Sequence, residues 1–225
     1  MIPVYKLLVA ALLICIVLPL SVVTHEFGHA MTGLSLGSNN PSIIVWPGWQ
    51  IYPEFDRSRQ AEWPNDAIAQ TMFVPKKTHL RLENSRDYLA QNIFFKPAVP
   101  VFSGSLSEKE SGLVLLMGSG LNWLLSVLAL CFLMIFRNSR FMLITCTPFA
   151  LLYYDLVFYS LLPTFFDLRH WIFWGGSNAE PLLALSQFGW NHNLTVVFIC
   201  AIAIVQSVLT LKVLNAQITG SNLHN

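Results

Sequence analysis

The clearest chemical signal in this chain is the sequence HEFGH at residues 25–29, near the end of a long apolar run. On an α-helix, positions i and i+4 lie on the same face, so His25 and His29 can both offer a ring nitrogen to one metal ion. Glu26 then lies beside the ion, where a carboxylate can take a proton from metal-activated water. Ionisable side chains inside an apolar helix are costly unless they coordinate or pair with something. The motif therefore predicts a zinc site, and a hydrogen-bonded structural histidine pair is the alternative.

A third metal ligand must come from another part of the chain, because a zinc hydrolase takes three protein ligands and leaves the fourth position for water. Asp155 is a lone carboxylate within the apolar segment 153–158, where it requires a cation or a proton. We predict that Asp155 is the third ligand; an Asp hydrogen-bonded to a Tyr or Ser of a neighbouring helix is the alternative. Asp167 is the competing candidate, although Arg169 is close enough in sequence to pair with it.

Asn122 is the other polar residue that stands out, because it follows Gly118, Ser119 and Gly120 in an apolar segment. Small residues allow two membrane helices to approach closely, which would bring Asn122 against the helix that carries HEFGH. Its amide could then donate a hydrogen bond to a developing oxyanion or to an extended substrate backbone. We predict Asn122 as a second catalytic residue beside Glu26, and a purely interhelical hydrogen bond is the alternative.

The composition places these residues in a membrane protein. Apolar residues make up 54% of the chain and charged residues 11%, whereas about 25% of the residues of soluble domains are charged. The formal charge of +1 gives no basis for nucleic-acid binding. The four cysteines lie in apolar runs without C-x-x-C spacing, which is typical of small buried hydrophobic residues.

Four segments are long enough to cross about 30 Å of hydrocarbon. They cover about residues 4–36, 112–136, 141–166 and 194–214. We predict an all-α integral membrane protein of one domain with an uncleaved first helix. Pro148 and Pro163 are expected to kink the third span.

Residues 37–111 form a predicted extramembrane loop with eight Lys or Arg and eight Asp or Glu residues. The start of the loop differs from the rest, because two β-branched and aromatic runs flank Pro47 and Gly48. They predict a short apolar β-hairpin at about residues 42–52, and an irregular interfacial loop with aromatic anchors is the alternative. With four spans both termini share one side of the membrane, and the flanking Lys and Arg residues favour the cytosol.

Together these features resemble the site-2 protease (M50) family of intramembrane zinc metalloproteases. HEFGH in the first long helix matches the zinc motif of that family, and an apolar hairpin follows it. The segment from Gly118 to Asn122 is similar to the G-P-x-x-N helix of the family, with Ser119 in place of proline. The resemblance covers a three-helix core, about residues 5–170. The family usually has its third ligand in a Leu-Asp-Gly sequence, which this chain lacks.

The resemblance implies an intramembrane zinc endopeptidase that hydrolyses peptide bonds of membrane-protein substrates. Zn2+ would activate water, Glu26 would accept its proton, and Asn122 would help to stabilise the oxyanion. The expected partners are a membrane-protein substrate and the lipid bilayer, with no nucleic acid, and the expected location is the bacterial inner membrane. The hairpin could hold an unwound substrate segment as an added strand. The alternatives are a non-catalytic membrane scaffold that retains the bundle, and a zinc hydrolase of a lipid-like substrate.

Overall fold

Long helices and one small sheet make up the described part of the chain. The computed structural model describes residues 4–38, 41–57, 68–73, 106–137, 139–171 and 175–221. Within these ranges the helices are α1 (Val4–Ser35), α2 (Glu108–Ile135), α3 (Arg140–Ala150), α4 (Tyr154–Leu156), α5 (Leu162–Phe166), α6 (Glu180–Gln187) and α7 (His192–Ser221). The strands are β1 (Pro41–Val45), β2 (Trp49–Tyr52) and β3 (Ala69–Phe73). Most of the predicted extramembrane loop, residues 58–67 and 74–105, lies outside the described residues.

Four helical stretches are long and apolar enough to cross a membrane, and they coincide with the four predicted spans. They cover Leu8–Ser35, Glu108–Ile135, Arg140–Phe166 and His192–Gln217. Large apolar side chains remain exposed along these helices: Ile135 is 70% exposed, Ile144 is 74% exposed and Leu211 is 68% exposed. Apolar residues exposed along whole helices indicate a surface that contacts lipid. The prediction of a mainly helical chain with four candidate membrane spans is confirmed.

The third candidate span is not one continuous helix. Residues 151–153 form turns after α3, and a π-helical segment, Val157–Leu161, separates α4 from α5. Pro148 removes a backbone donor just before this irregular stretch. Pro163 lies in the first turn of α5, where the missing N–H of proline is tolerated. The unwound stretch therefore lies between the two prolines that the sequence analysis expects to kink the span.

A three-stranded antiparallel sheet follows α1, with the strand order β2-β1-β3. β1 and β2 form the hairpin expected at residues 42–52, and the Gly48 N–H donates to the Val45 carbonyl at 2.8 Å in the turn. The third strand is not predicted by the sequence analysis; β3 pairs with the other side of β1, with Thr71 opposite Ile43. β1 is therefore the central strand, and its first four residues are buried.

The sheet packs against the last third of α1. The rings of Phe27 and Tyr52 meet edge to face, with their centroids 6.0 Å apart. On the other outer strand, the Thr71 hydroxyl contacts Glu26 of α1. Contacts from both outer strands therefore fix the position of the sheet relative to the HEFGH segment.

α1 and α2 pack backbone against backbone. A Cβ atom added at Gly28 would lie 2.0 Å from the Met117 carbonyl oxygen, so only glycine allows this contact. α2 begins with a capping box, in which the Ser107 hydroxyl accepts from the Glu110 N–H and the Glu110 carboxylate accepts from the Ser107 N–H. The start of α2 is thus fixed one turn before Gly112, and its middle lies directly on α1.

The short helix α6 is held by apolar contacts with its neighbours. Leu156 of α4, Leu182 of α6 and Ile199 of α7 form one buried cluster. A hydrogen bond also joins two of the long helices: Gln206 of α7 donates to the Ser126 hydroxyl of α2 at 3.0 Å. These contacts place the first residue of α6, Glu180, against the helix that carries HEFGH.

Candidate metal centre

Three possible ligand atoms converge where α1 meets α6. His25 Nε2 lies 3.0 Å from His29 Nε2 and 3.1 Å from Glu180 Oε2, and His29 Nε2 lies 3.5 Å from Glu180 Oε2. Two ligand atoms of a tetrahedral zinc ion, each about 2.0–2.1 Å from the metal, lie about 3.3 Å apart. The three measured distances therefore match three corners of a tetrahedral zinc site. Together these side chains could hold a metal ion.

The two histidines meet because α1 runs without interruption through HEFGH. Residues four apart then lie one turn from each other on the same helix face, as the sequence analysis predicts for His25 and His29. Their rings are edge to face, with centroids 4.7 Å apart. His25 is 1% exposed and His29 is 9% exposed, so neither imidazole is freely solvated.

The second nitrogen of each imidazole already has an acceptor. His25 Nδ1 lies 3.0 Å from Asp155 Oδ2, and His29 Nδ1 lies 2.7 Å from the carbonyl oxygen of Val114 on α2. Because a carbonyl can only accept, His29 Nδ1 carries a hydrogen, and the Asp155 carboxylate favours the same tautomer in His25. In neutral imidazoles both Nε2 lone pairs then point into the cluster. Such a cluster of acceptor atoms needs a cation or a proton between them, and acceptors behind the rings are typical of metal-binding histidines.

Glu180 enters the cluster in its charged form. Burial raises the pKa of this carboxyl, but when a proton rather than a cation lies between these atoms, hydrogen bonds from the protonated His25 and His29 rings outweigh that effect and hold the pKa of Glu180 well below its usual range. A metal ion binds the ionised carboxylate rather than the neutral acid. The charge state of Glu180 therefore suits a ligand.

Gly118 of α2 packs closely against the Nε2 atoms of both histidines. A Cβ atom added at Gly118 would lie 2.6 Å from Nε2 of both His25 and His29, and 2.5 Å from His29 Cε1. Even a methyl group there would occupy the volume next to both lone pairs. The histidine pair thus faces a bare stretch of α2 backbone, and His25, His29 and Glu180 together fit a metal ion with three protein ligands.

Glu180 is positioned by the loop that precedes α6. The backbone N–H of His170 donates to the Gly176 carbonyl at 2.9 Å, and the ring nitrogen His170 Nε2 lies 2.6 Å from the Asn178 carbonyl oxygen. Burial lowers the pKa of His170, so the ring is neutral and donates its Nε2 hydrogen to Asn178. These two bonds fix the described residues just before Glu180.

A column of three rings joins that loop to the ligands. His170 stacks on Tyr159, and Tyr159 stacks on His25, with centroids 4.0 Å apart at each step. Tyr159 lies in the π-helical segment of the third span, a type of distortion that occurs frequently at functional sites. Through Tyr159, the irregular third span therefore packs on the face of the His25 ring and supports the loop that carries Glu180.

Asp155 does not join the ligand atoms, so the structure differs here from the predicted ligand set. Its side chain is fully buried; Oδ2 faces His25 Nδ1, and Oδ1 accepts from the Ser21 hydroxyl at 3.2 Å. The buried carboxyl group of Asp155 therefore pairs with His25 Nδ1 and with Ser21, on the side of the imidazole opposite to the three possible ligand atoms. The competing candidate, Asp167, is exposed and caps the end of α5 in a left-handed conformation.

Glu180 is the site residue that the sequence analysis missed. It is the only acidic residue after Asp167, and it is followed by Pro181 and an apolar run. That pattern is a detectable signal, because a lone carboxylate at the start of an apolar helix needs a partner. Glu180 lies outside all four predicted spans, because α6 is too short to cross a membrane.

The structure places Glu26 against β3. Its side chain is 7% exposed, and the Thr71 hydroxyl oxygen lies 2.7 Å from Glu26 Oε2 and 2.9 Å from the Glu26 carbonyl oxygen. The predicted base thus has a hydrogen-bond donor from a strand that the sequence analysis does not predict. Glu26 directly follows His25 in α1.

Asn122 ties α2 to α1. It is fully buried; its amide nitrogen donates to the Ser21 carbonyl at 3.0 Å, and its amide oxygen accepts from the Thr24 hydroxyl. A longer contact of 3.4 Å joins the same nitrogen to the Ser21 hydroxyl. Of the two interpretations of Asn122, these contacts favour the interhelical hydrogen bond over the predicted catalytic donor.

No protein-family model matches this chain, and no curated protein or solved structure is significantly similar to it. The geometry of the cluster therefore carries the functional argument. It contains two imidazoles, one carboxylate, a buried acid at the other nitrogen of the first imidazole, and a glycine, Gly118, packed against both rings.

Proposed function

We propose that this chain is an intramembrane zinc metalloendopeptidase of the site-2 protease type. The proposal rests on the convergence of His25 Nε2, His29 Nε2 and Glu180 Oε2, with an acceptor on the remaining nitrogen of each imidazole. Three protein ligands beside an open position are typical of catalytic zinc sites, whereas structural sites have four. Glu26 supports the same conclusion, because coordination by this cluster does not need a second carboxylate.

Each residue of the site has a distinct role in the proposed reaction. His25, His29 and Glu180 would hold zinc, which supplies a Lewis acid and lowers the pKa of bound water to about 7. Glu26 accepts a proton from water at its carboxylate and delivers it to the leaving amine nitrogen. Asp155 keeps His25 in the tautomer that leaves Nε2 free to coordinate.

The outer edge of β3 offers a place for an extended substrate. The Trp46 N–H donates to the Ile68 carbonyl at 2.8 Å, and hydrogen-bonded pairs alternate along antiparallel strands. The backbone N–H and C=O of Thr71 therefore point away from β1, and no strand among the described residues pairs with that edge. A peptide added there as a fourth strand would pass the residue that contacts Glu26. This arrangement favours β3, rather than the outer edge of the hairpin, as the substrate strand.

Zinc content and proteolysis test the proposal together. We expect the protein purified in lipid nanodiscs to contain one zinc ion per chain and to cleave members of a panel of reconstituted single-span membrane proteins. Glu26→Gln should keep the zinc and lose cleavage by about 10²- to 10⁴-fold, because it removes the base but no ligand. Thr145→Val is the matched control, since Thr145 is exposed on α3 and its hydroxyl bonds, among the described residues, to groups of its own helix.

Two results would contradict the proposal. Equal product from the wild type and Glu26→Gln would show that the cleavage does not come from this site. Zinc binding without any cleavage by the wild type would favour the non-catalytic scaffold, in which the same bundle binds a partner.

A further inference from the structure

We infer that Thr71 is a positioning residue for Glu26, whose hydroxyl fixes the carboxylate beside the strand where substrate is added. The inference rests on the proposed function. The contact joins a strand to a helix, and the two residues are 45 positions apart in the sequence. It exists only because the sheet packs against the last third of α1, where Phe27 also meets Tyr52. The sheet therefore serves the chemical site as well as the substrate.

The contact fixes the position of the Glu26 carboxylate. A threonine hydroxyl has one hydrogen to donate. Its oxygen lies 2.7 Å from Glu26 Oε2 and 2.9 Å from the Glu26 carbonyl oxygen. Thr71 thus holds this mostly buried side chain against the backbone of α1, at the point where β3 meets the helix.

The same residue connects the base with the substrate. Its side chain faces Glu26, while its backbone N–H and C=O lie at the outer edge of β3. A substrate strand that bonds to this edge is therefore fixed in register relative to Glu26. Because the backbone bonds do not depend on the hydroxyl, removal of the hydroxyl should affect the chemical step and leave substrate binding intact.

The test compares Thr71→Val, which keeps the shape of the side chain, with Thr71→Ser, which keeps the hydroxyl. For Thr71→Val we expect kcat to fall about 10- to 100-fold, with KM within about threefold and zinc content unchanged. Thr71→Ser should restore kcat to within about threefold of the wild type. Thr145→Val again reports the effect of losing a threonine hydroxyl elsewhere in the same protein.

A second readout does not depend on catalysis. The infrared carboxylate band that disappears in Glu26→Gln should shift in Thr71→Val and keep its wild-type position in Thr71→Ser. An unshifted band in Thr71→Val, or a kcat equal to that of the wild type, would overturn the inference while leaving the protease proposal intact. If the wild type cleaves nothing, the protease proposal fails, and the band alone decides whether Thr71 positions Glu26.

Discussion

Gly118 provides the sharpest test of the candidate metal centre, because a single methyl group there should weaken metal binding. In Gly118→Ala the new Cβ would lie 2.5–2.6 Å from His29 Cε1 and from both ligand nitrogens. Ordinary contacts between such atoms are about 3.5–4.0 Å, so the imidazoles must move by about 1 Å. Zinc–ligand distances tolerate about 0.2 Å. Overpacking of this kind costs about 1–3 kcal/mol, which corresponds to roughly a 5- to 150-fold loss of zinc affinity.

The assay is a zinc titration against a competing chelator, in nanodiscs, with Gly120→Ala as the matched control. Gly120 lies on the same helix, and among the described residues its added Cβ would meet Met117 Sδ alone, at an ordinary contact distance of 3.4 Å. Both substitutions gain the same helix propensity, so that effect cancels in the comparison. We expect Gly120→Ala to bind zinc within about twofold of the wild type. Equal zinc affinity in both variants would refute the assignment of the ligand pair to the Gly118 face.

Two further predictions separate the roles of the buried polar residues. Asp155→Asn should lower zinc affinity by about 10- to 100-fold, because it changes the hydrogen-bond partner of the ligand His25. Glu180→Ala should lower the affinity further, because it removes a ligand. Competition with a chelator measures both affinities. The reverse ranking would restore Asp155 as the third ligand. Asn122→Ala should lower the free energy of unfolding by about 1–3 kcal/mol through unpaired groups on α1, measured by denaturant titration. A kcat that falls with unchanged stability would instead make Asn122 catalytic.

The overall architecture could be read from the sequence because its signals are local. Apolar runs of the required length mark all four candidate spans, and the Pro47-Gly48 turn between β-branched residues marks the hairpin. β3 could not be found in the same way, since Ala69–Phe73 has little apolar alternation and is a strand because it pairs with β1. Pairing between distant segments leaves no periodic pattern in either one.

The same difference between local signals and contacts of distant segments applies to the candidate site. HEFGH predicts a histidine pair on one face of α1, and the structure has that arrangement. The third ligand depends on which distant segment packs against that face, and depth along a helix does not determine it. Asp155 and Glu180 both reach His25, but from opposite nitrogens of one ring. That distinction depends on the orientation of the imidazole, which a sequence does not record.

α1 packs on α2 at Gly28 and faces Glu180 of α6, so the complete cluster needs all three helices. This requirement bears on how the protein is made. The first span is synthesised long before α6, and on its own it offers two imidazoles with neither the bare α2 surface nor the Glu180 carboxylate. A newly inserted chain is therefore unable to assemble the complete cluster until its later helices have entered the bundle. If the cluster binds metal as proposed, loading is a late step of biogenesis, because the complete ligand set forms only after α6 has joined the bundle.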